Sequence, residues 1–379
     1  MRVEDFTNSI GAGFYAGVPD SQLKALCDYL VHTYGAHGDR HIIAANEGNA
    51  LAIAAGYHLA TGKIPLVYMQ NSGEGNIINP LASLTNEKVY AIPCVLVIGW
   101  RGEPGVKDEP QHIYQGEVTC KLLEDMGIEY CILSKDTTTK QLEAQMEKFR
   151  ARLSAGHCVA IVVRKGALVY EKEIHYRNQN SITREEAIRH ILSASGDDPV
   201  ISTTGKASRE LFEIREANGE GHSSDFLTVG SMGHCSSIAL GVALHQPEKT
   251  IWCIDGDGAA LMHMGALPVI ARCRPKNLIH IIINNGAHET VGGQPTVMEG
   301  RSFEEIAKAC GYPHSVSVSD IKDLDKELAA AKSRKDLTML EIKCGLGARP
   351  DLGRPTTSAL ENKQMFIKAL KNEQIVDKK

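Results

Sequence analysis

The chain has 379 residues, of which 43% are hydrophobic and 23% are charged, and its formal net charge is −5. A chain of this length predicts two domains, each large enough to close its own core. The negative net charge argues against nucleic acid or an anionic membrane as a bulk partner, because both require a basic face.

Short apolar runs rich in β-branched residues alternate with segments of helical period. This alternation is typical of parallel sheets covered by helices on both faces. Strands are predicted at 41–45, 64–70, 93–100, 129–133, 158–163, 199–203, 225–229, 250–255, 277–284 and 337–343. Helices are predicted at 21–34, 47–60, 77–89, 115–126, 137–153, 184–195, 206–217, 233–245, 259–272, 303–310 and 320–333.

The polar stretch 171–183 has neither period and is predicted to be a linker. The expected fold is therefore α/β, with two doubly wound parallel-sheet domains at 1–170 and 184–379. The interval between them is too short for a middle domain.

The cysteine pattern and the lack of long apolar runs both indicate the cellular compartment in which the protein is found. The ten cysteines form no Cys-x-x-Cys pair and mostly lie in apolar runs, which predicts small buried side chains in a reducing environment. No apolar run approaches the roughly 18 residues that a membrane span needs, and residues 1–6 lack the apolar core of a signal peptide. We therefore expect a cytoplasmic protein.

Polar residues follow two neighbouring predicted strands in the second half. One strand stops at Gly256-Asp257-Gly258, where a helix follows, and the next stops at Asn284-Asn285. An aspartate at a parallel strand end beside a helix amino terminus can hold a hard cation while backbone amides receive phosphate oxygens. A tight turn and an asparagine pair could also be purely structural, but the strand contexts and the spacing favour a metal site.

Two rival motifs fit less well. An EF-hand loop starting at Asp255 would have Ala259 where an oxygen ligand is needed and Ala266 where a glutamate is needed. The run from Gly11 to Ala16 formally fits a dinucleotide motif, but residues 4–10 are too polar for the buried strand that must precede it.

The Gly256-Asp257-Gly258 motif, with Asn285 after residues 259–284, resembles the thiamine diphosphate (ThDP) site of the ThDP-dependent 2-keto acid decarboxylases. The resemblance implies ThDP and Mg²⁺ as cofactors, and an aminopyrimidine-binding domain followed by a diphosphate-binding domain. It implies that Mg²⁺ is bound by Asp257, Asn285 and the Ala287 carbonyl. Further cofactor contacts are implied at Thr204, Gly230, Met232, Gly256, Gly258 and Ala259.

The segment from His41 to Gly56 resembles the strand, glutamate and Ala/Gly-rich helix of the first domain in the same family. The resemblance implies that Glu47 is the catalytic glutamate, whose carboxyl group donates to a ring nitrogen of the cofactor. A glutamate in a first helical turn can also simply stabilise the helix dipole. Since Glu47 and the metal site lie on different domains, the resemblance implies at least a homodimer, with the active site between subunits.

Five further segments, 15–21, 70–75, 99–105, 108–116 and 285–296, resemble the phosphonopyruvate decarboxylases over essentially the whole chain. This implies decarboxylation of a small 2-keto acid with a terminal anion, 3-phosphonopyruvate, to phosphonoacetaldehyde and CO₂. Sulfopyruvate decarboxylase is the nearest alternative. A ThDP-binding partner subunit without activity is an alternative of another class, disfavoured because Glu47 and Asp257 occur in one chain.

The resemblance also implies candidate residues for proton delivery. Asp20 lies where related decarboxylases keep an acidic group, although theirs can align with Ser21. His112 matches the first histidine of a paired-histidine motif whose second position here is Ile113. A pair formed by Asp20 and His112 could deliver the proton.

Cations on loops are candidates for binding the substrate anion. Arg101 and Lys107 lie on a Gly/Pro-rich loop, and arginine suits bidentate recognition of oxyanions. A solvated surface loop is the structural alternative, and Lys206 and Arg209 are alternative cations. Residues 286–296 are expected to form a lid that places His288 near the cofactor.

Overall fold

The computed structural model describes residues 1–174 and 176–371. One position of the predicted linker and the last eight residues of the predicted second domain therefore lie outside the described residues. The chain divides into two compact units. Unit 1 comprises Met1–Tyr176 and His288–Pro295, and unit 2 comprises Arg177–Ala287 and Thr296–Lys379.

Unit 1 is built on a six-stranded parallel sheet in the order β2-β1-β3-β4-β6-β5. Its strands are β1 (Tyr15–Gly17), β2 (His41–Ile43), β3 (Leu66–Gln70), β4 (Val95–Gly99), β5 (Glu129–Leu133) and β6 (Val159–Val163). Its helices are α1 (Val3–Ile10), α2 (Lys24–Tyr34), α3 (Glu47–Thr61), α4 (Glu74–Ala82), α5 (Pro110–Asp125) and α6 (Thr139–Ser154).

Unit 2 repeats this plan with the strand order β13-β14-β10-β9-β7-β8. Its sheet contains β7 (Val200–Ser202), β8 (Asp225–Leu227), β9 (Ile251–Gly256), β10 (Leu278–Asn284), β13 (His314–Val318) and β14 (Thr338–Lys343). Its helices are α7 (Arg184–Ser195), α8 (Lys206–Ala217), α9 (Cys235–His245), α10 (Asp257–Met262), α11 (Ala266–Cys273), α12 (Phe303–Cys310), α13 (Ile321–Arg334) and α14 (Ala359–Leu370). The short strands β11 (Ala287–His288) and β12 (Gln294–Pro295) form a separate ladder.

The central strands are apolar along their whole length because helices cover both faces of each sheet. All residues of β4, β6 and β10 are buried, and each sheet has one hydrophobic core on either face. Helices α6, α7 and α14 begin at capping boxes, in which Thr138, Thr183 and Ser358 bond to the backbone three residues on. In the part of the chain that the structure describes, no helix is long and apolar enough to cross a bilayer.

The two sheets agree with the predicted α/β architecture, and most element positions were predicted within a few residues. The prediction was wrong at 259–272, where the chain forms α10 and α11 with a break at residues 263–265. It also missed α1, β1, β13 and α14, and it placed α4 at 77–89 although that helix spans Glu74–Ala82. Since residues 3–10 are helical, the strand that a dinucleotide motif at Gly11 would need is absent.

Candidate active site

The carboxyl ends of the parallel strands carry the candidate residues of both units, as expected for open α/β sheets. In unit 1 these residues follow β1, β2, β3 and β4, and in unit 2 they follow β7, β8, β9 and β10. Asp20, Glu47, Arg101, Lys107 and His112 all belong to unit 1, and the predicted metal and diphosphate residues all belong to unit 2.

Glu47 is the first residue of α3, and its side chain is buried. Asn76 Nδ2 donates to Glu47 Oε2 at 2.7 Å. A Cβ atom at Gly73 would lie 2.4 Å from Glu47 Oε1, so only glycine leaves room for this carboxyl group. Burial raises the pKa of Glu47, and the bond from Asn76 offsets this only in part. The carboxyl group is thus held in one place and disposed to keep a proton.

The segment that follows β3 connects Glu47 to the other polar residues of unit 1. Gln70 Nε2 donates to Asp20 Oδ1 at 2.6 Å. Asn71 donates to the Arg101 carbonyl at 2.8 Å and accepts from the Arg101 amide at 3.2 Å. Residues 70–76 therefore hold Asp20, the Arg101 backbone and Glu47 in one network.

Asp20 is fully buried between the ends of β1 and β4. Its Oδ2 accepts from the amides of Gln22 and Leu23 at 2.9 and 3.2 Å. A Cβ atom at Gly99 would lie 2.1 Å from the same oxygen, so the glycine makes room for it. Burial raises the pKa of Asp20, whereas the hydrogen bonds and the charge of Arg101 act to lower it.

Arg101 is more constrained than the sequence suggests. Its Nε donates to Asp108 Oδ2 at 2.8 Å, a second bond joins Nη2 to the other oxygen of Asp108, and Nη1 donates to Ser21 Oγ at 3.1 Å. Burial raises the pKa of Asp108. The bonds from Arg101 and from two backbone amides outweigh burial and hold this pKa well below its usual range. Lys107 lies exposed on the same loop.

His112 lies near Arg101 and Asp108 in the first turn of α5. Its Nδ1 atom is buried and has no hydrogen-bond partner among the described residues. Burial, together with the charge of Arg101, lowers the pKa of His112. The charge of Arg101 thus acts on both Asp20 and His112.

Glu74 is a buried carboxyl group that we did not predict. It is the first residue of α4, and neither of its carboxyl oxygens has a hydrogen-bond partner in the described parts of the chain. Burial raises the pKa of Glu74 to about 8, and the side chains of Thr119 and Gln115 oppose this only in part. Burial therefore favours the protonated form of Glu74.

In unit 2, Gly256 ends β9 and Asp257, Gly258 and Ala259 form the first turn of α10. Asp257 is buried, and Thr296 Oγ1 donates to its Oδ2 at 2.9 Å. Burial raises the pKa of Asp257 to about 7, against the opposing hydrogen bonds from Thr296 and nearby backbone amides. Thr296 and the backbone amides that donate to this carboxylate are neutral. A bound cation would supply the positive charge that these donors lack.

The two asparagines at the end of β10 have different partners. Asn284 Nδ2 donates to Glu341 Oε1 at 2.7 Å, and Asn284 Oδ1 accepts from the Gly286 amide at 3.0 Å. Asn285 Oδ1 accepts from the Ala287 amide at 3.0 Å. Both ends of the Asn284 amide are thus hydrogen-bonded within the fold.

The loops after β7 and β8 meet at Thr204. Its hydroxyl oxygen accepts from the Gly230 amide at 3.1 Å, just before α8 begins at Lys206. Gly230 has a φ of 68°, and Ser231 takes a left-handed φ of 45°, which few residues other than glycine adopt. Met232 follows and is half-buried. This strained turn is the kind of backbone that binding sites retain.

The alternative cation Arg209 donates both to the Gly353 carbonyl and to the Leu352 carbonyl. Arg209 therefore serves to hold the loop after β14. Lys206, the other alternative, is half-buried at the start of α8.

The segment expected to be a lid is packed in the fold. Residues His288–Pro295 belong to unit 1, where Gln294 Nε2 donates to Asp28 Oδ1 at 2.8 Å. His288 is buried, which lowers its pKa to about 4. The tight backbone of this segment uses positive φ angles at Gly292 and Gly293.

The sequence did not reveal the residues that orient the candidates. Gln70, Asn71 and Asn76 lie within or beside a segment that we had singled out, but no local pattern assigns them a role. Glu341 is part of an apolar strand pattern, and its only signal is a charged residue within a buried run.

Known proteins match the chain over most of its length. Residues 5–123 match the family model described as thiamine pyrophosphate enzyme, N-terminal TPP binding domain, and residues 203–342 match the corresponding C-terminal TPP binding domain. A phosphonopyruvate decarboxylase from Streptomyces viridochromogenes is 32% identical over 94% of this chain and 91% of its own length. One from Streptomyces hygroscopicus is 34% identical over 94% of this chain and 90% of its own length. A sulfopyruvate decarboxylase from Methanosarcina acetivorans is 29% identical over 90% of each chain.

We predict that Glu74→Gln makes the protein more stable above about pH 5. A glutamate in the unfolded chain ionises near pH 4.5, whereas folded Glu74 keeps its proton up to about pH 8. The wild type therefore loses stability as the pH rises from 4.5 to 8, and the variant escapes this loss. Thermal unfolding should show a Tm higher by at least about 2 °C at pH 8 and almost unchanged at pH 4.5.

The control for this prediction is Glu143→Gln, a change at an exposed glutamate on α6. This variant should show the same difference in Tm between pH 4.5 and pH 8 as the wild type. A Glu74→Gln protein whose Tm runs parallel to that of the wild type at all pH values would contradict the prediction.

Proposed function

The chain belongs to the phosphonopyruvate decarboxylase family of ThDP enzymes, and on that premise we propose that it decarboxylates 3-phosphonopyruvate to phosphonoacetaldehyde and CO₂. The observation that carries the proposal is the likeness to two phosphonopyruvate decarboxylases along nearly the whole chain. The likeness to a sulfopyruvate decarboxylase is lower, and we retain sulfopyruvate as the second candidate substrate.

The donor set that we assign to Mg²⁺ consists of oxygens. It comprises the Asp257 carboxylate, the Asn285 side-chain oxygen and the Ala287 carbonyl, which suit a hard cation. In the described residues no cluster of three His, Cys, Asp or Glu side chains is arranged to hold a metal, and the proposed set contains one carboxylate. The raised pKa of buried Asp257 supports a cation at this position.

The diphosphate is proposed to bind beside Thr204 and the amino terminus of α8. The first amides of a helix lack partners within the helix, and together with the helix dipole they attract anions. The turn at Gly230 and Met232 is proposed to receive the aminopyrimidine. Its backbone is left-handed at Gly230 and Ser231, and the Gly230 amide donates to Thr204 Oγ1.

When bound, ThDP supplies a nucleophilic carbon and takes up the electrons that the departing carboxylate leaves behind. The role that we assign to Glu47 is to hold a proton on its carboxyl group and to donate it in a hydrogen bond to the cofactor ring. Burial supports this role, because it favours the neutral acid. Asn76 and Gly73 fix the position from which Glu47 acts.

Proton delivery to the product is assigned to His112, and orientation of its surroundings to Asp20. The oxygens of Asp20 already accept three hydrogen bonds, whereas His112 Nδ1 is buried and unpartnered among the described residues. The lowered pKa makes the protonated imidazole of His112 a stronger acid, which favours release of a proton to the product.

The terminal phosphonate is proposed to meet Lys107 and the N–H groups of Arg101 that Asp108 and Ser21 leave available. The ion pair with Asp108 fixes the guanidinium at the loop, so that Arg101 is positioned before substrate arrives. Lys107 is exposed and can close on the anion.

A substrate panel tests the proposed reaction. Purified protein with ThDP and Mg²⁺ should release CO₂ from phosphonopyruvate faster than from sulfopyruvate and much faster than from pyruvate, as measured by trapping the aldehyde. Turnover of none of the three, or of pyruvate best, would refute the proposal. A preference for sulfopyruvate would establish the second candidate.

The catalytic role of Glu47 predicts the effect of Glu47→Gln. The amide retains the size of the side chain but removes the transferable proton, so kcat should fall by about 10²–10⁴-fold. ThDP affinity measured by calorimetry should change little, because the diphosphate and metal residues are untouched. Near-normal turnover in this variant would mean that another residue performs this role.

We further propose that the protein is at least a homodimer. Helices α3 and α9 both expose apolar residues. On α3 the outward face carries Ala52, Gly56 and Leu59, and on α9 it carries Gly241 and Leu244. Leu59 is 72% exposed and Leu244 is 47% exposed. A second copy of the chain would cover these faces.

Ala52→Glu should disrupt this assembly. The wild type is expected to show a mass of at least twice the 41.2 kDa chain in light scattering, and the variant a mass near that of one chain, because a charge would be buried in the interface. Circular dichroism should show that the variant is folded. Lys148→Glu, on the exposed face of α6, is the control and should retain the wild-type mass. A monomeric wild type would contradict the proposal.

A further inference from the structure

Glu341 is a buried carboxylate of unit 2 that the proposed reaction does not use. It lies in β14, next to the strand that ends in Asn284-Asn285, and it is 0% exposed. Asn284 Nδ2 and Lys343 Nζ each donate to its Oε1 at 2.7 Å, and Ser302 Oγ donates to its Oε2 at 2.5 Å. Three donors from three segments therefore converge on one carboxylate.

These donors keep Glu341 ionised. Burial alone raises the pKa of a carboxyl group, but the bonds from Lys343, Ser302 and Asn284 outweigh burial here and leave the pKa of Glu341 lowered. An ionised carboxylate can only accept hydrogen bonds. It therefore forces Asn284 to turn its NH₂ group towards Glu341 and its oxygen the other way.

The oxygen of Asn284 in turn holds the metal-binding turn. It accepts from the Gly286 amide at 3.0 Å, and this amide is also one of the donors that act on Asp257. The other side of the turn is fixed by Asn178, whose Nδ2 donates to the Asn285 carbonyl at 2.8 Å and the Cys344 carbonyl at 3.0 Å. Residues 284–287 are thus clamped from both sides.

We propose that Glu341 is a positioning residue for the Mg²⁺ site, which fixes the Asn284 amide and thereby the geometry of Asn285 and the Ala287 carbonyl. This inference rests on the proposed cofactor site and is independent of which 2-keto acid is the substrate. Partners that orient metal ligands commonly contribute a factor of about 10–100 to metal affinity.

The test is Glu341→Gln in the full-length protein. The amide keeps the shape of the side chain but removes the negative charge that pairs with Lys343. Its NH₂ group would also face Asn284, Ser302 and Lys343, which are all hydrogen-bond donors to Glu341. Calorimetric titration of ThDP at increasing Mg²⁺ should give an apparent Mg²⁺ Kd that is higher by about 10-fold or more. At saturating Mg²⁺ and ThDP, kcat and the KM for substrate should stay within about 2-fold of wild type, because the effect acts through the metal.

A matched control separates positioning from general destabilisation. Asp225 is also 0% exposed and is paired with Arg215, but it lies at the amino end of β8, opposite the strand ends that carry the site. Asp225→Asn should lower Tm and leave the Mg²⁺ Kd unchanged. Ser302→Ala is a milder variant, which removes one donor to Glu341 and should raise the Mg²⁺ Kd by a smaller factor even where Glu341→Gln does not fold.

The possible results are distinct. If the wild type binds ThDP with Mg²⁺ and neither Glu341→Gln nor Ser302→Ala shifts the Mg²⁺ Kd, the positioning role is refuted and the proposed function stands. If Asp225→Asn shifts the Mg²⁺ Kd as much as Glu341→Gln does, the effect is general destabilisation and the inference is also refuted. If the wild type shows no Mg²⁺-dependent ThDP binding, the proposed function fails and this inference fails with it.

Discussion

Burial of carboxyl groups at the carboxyl ends of parallel strands is the constraint on which the candidate site depends. Asp20, Glu47 and Asp257 are each at least 96% buried, and removal from water disfavours the charged form of every one. The fold offsets this cost differently at each position. Two backbone amides and the Gln70 side chain donate to Asp20, and the Asn76 side chain donates to Glu47. Neutral donors surround Asp257.

The same physical effect therefore supports different chemistry in the two units. Glu47 has one recorded side-chain donor, so burial dominates and the proposed role of proton donor to the cofactor ring follows. Burial also raises the pKa of Asp257, which is the carboxylate that we assign to the proposed metal site. Glu341 shows the third case, in which a lysine and two further donors overcome burial and keep the carboxylate charged.

The sequence predicts the regular parts of this protein well, because long apolar strands and periodic helices are local signals. It misses β1, which has only three residues, and β13, whose alternation of Ser and Val covers only five residues. In the site, Asp257 and Glu47 stand in local motifs. Their supporting residues do not, because the bonds from Gln70 to Asp20 and from Asn284 to Glu341 join residues far apart in sequence. Such contacts exist only once the sheet has formed.

The asparagine pair shows how such long-range contacts distinguish two identical side chains. Two adjacent amides end the same strand, and their chemistry alone gives no reason to prefer one as a metal ligand. Glu341 distinguishes them, because a carboxylate that can only accept hydrogen bonds takes the NH₂ group of Asn284, and the Gly286 amide donates to the Asn284 oxygen. Asn284 is thereby part of the framework, which agrees with the proposal that Asn285 is the metal ligand. A buried charge that has no part in the proposed chemistry thus gives two identical side chains different surroundings.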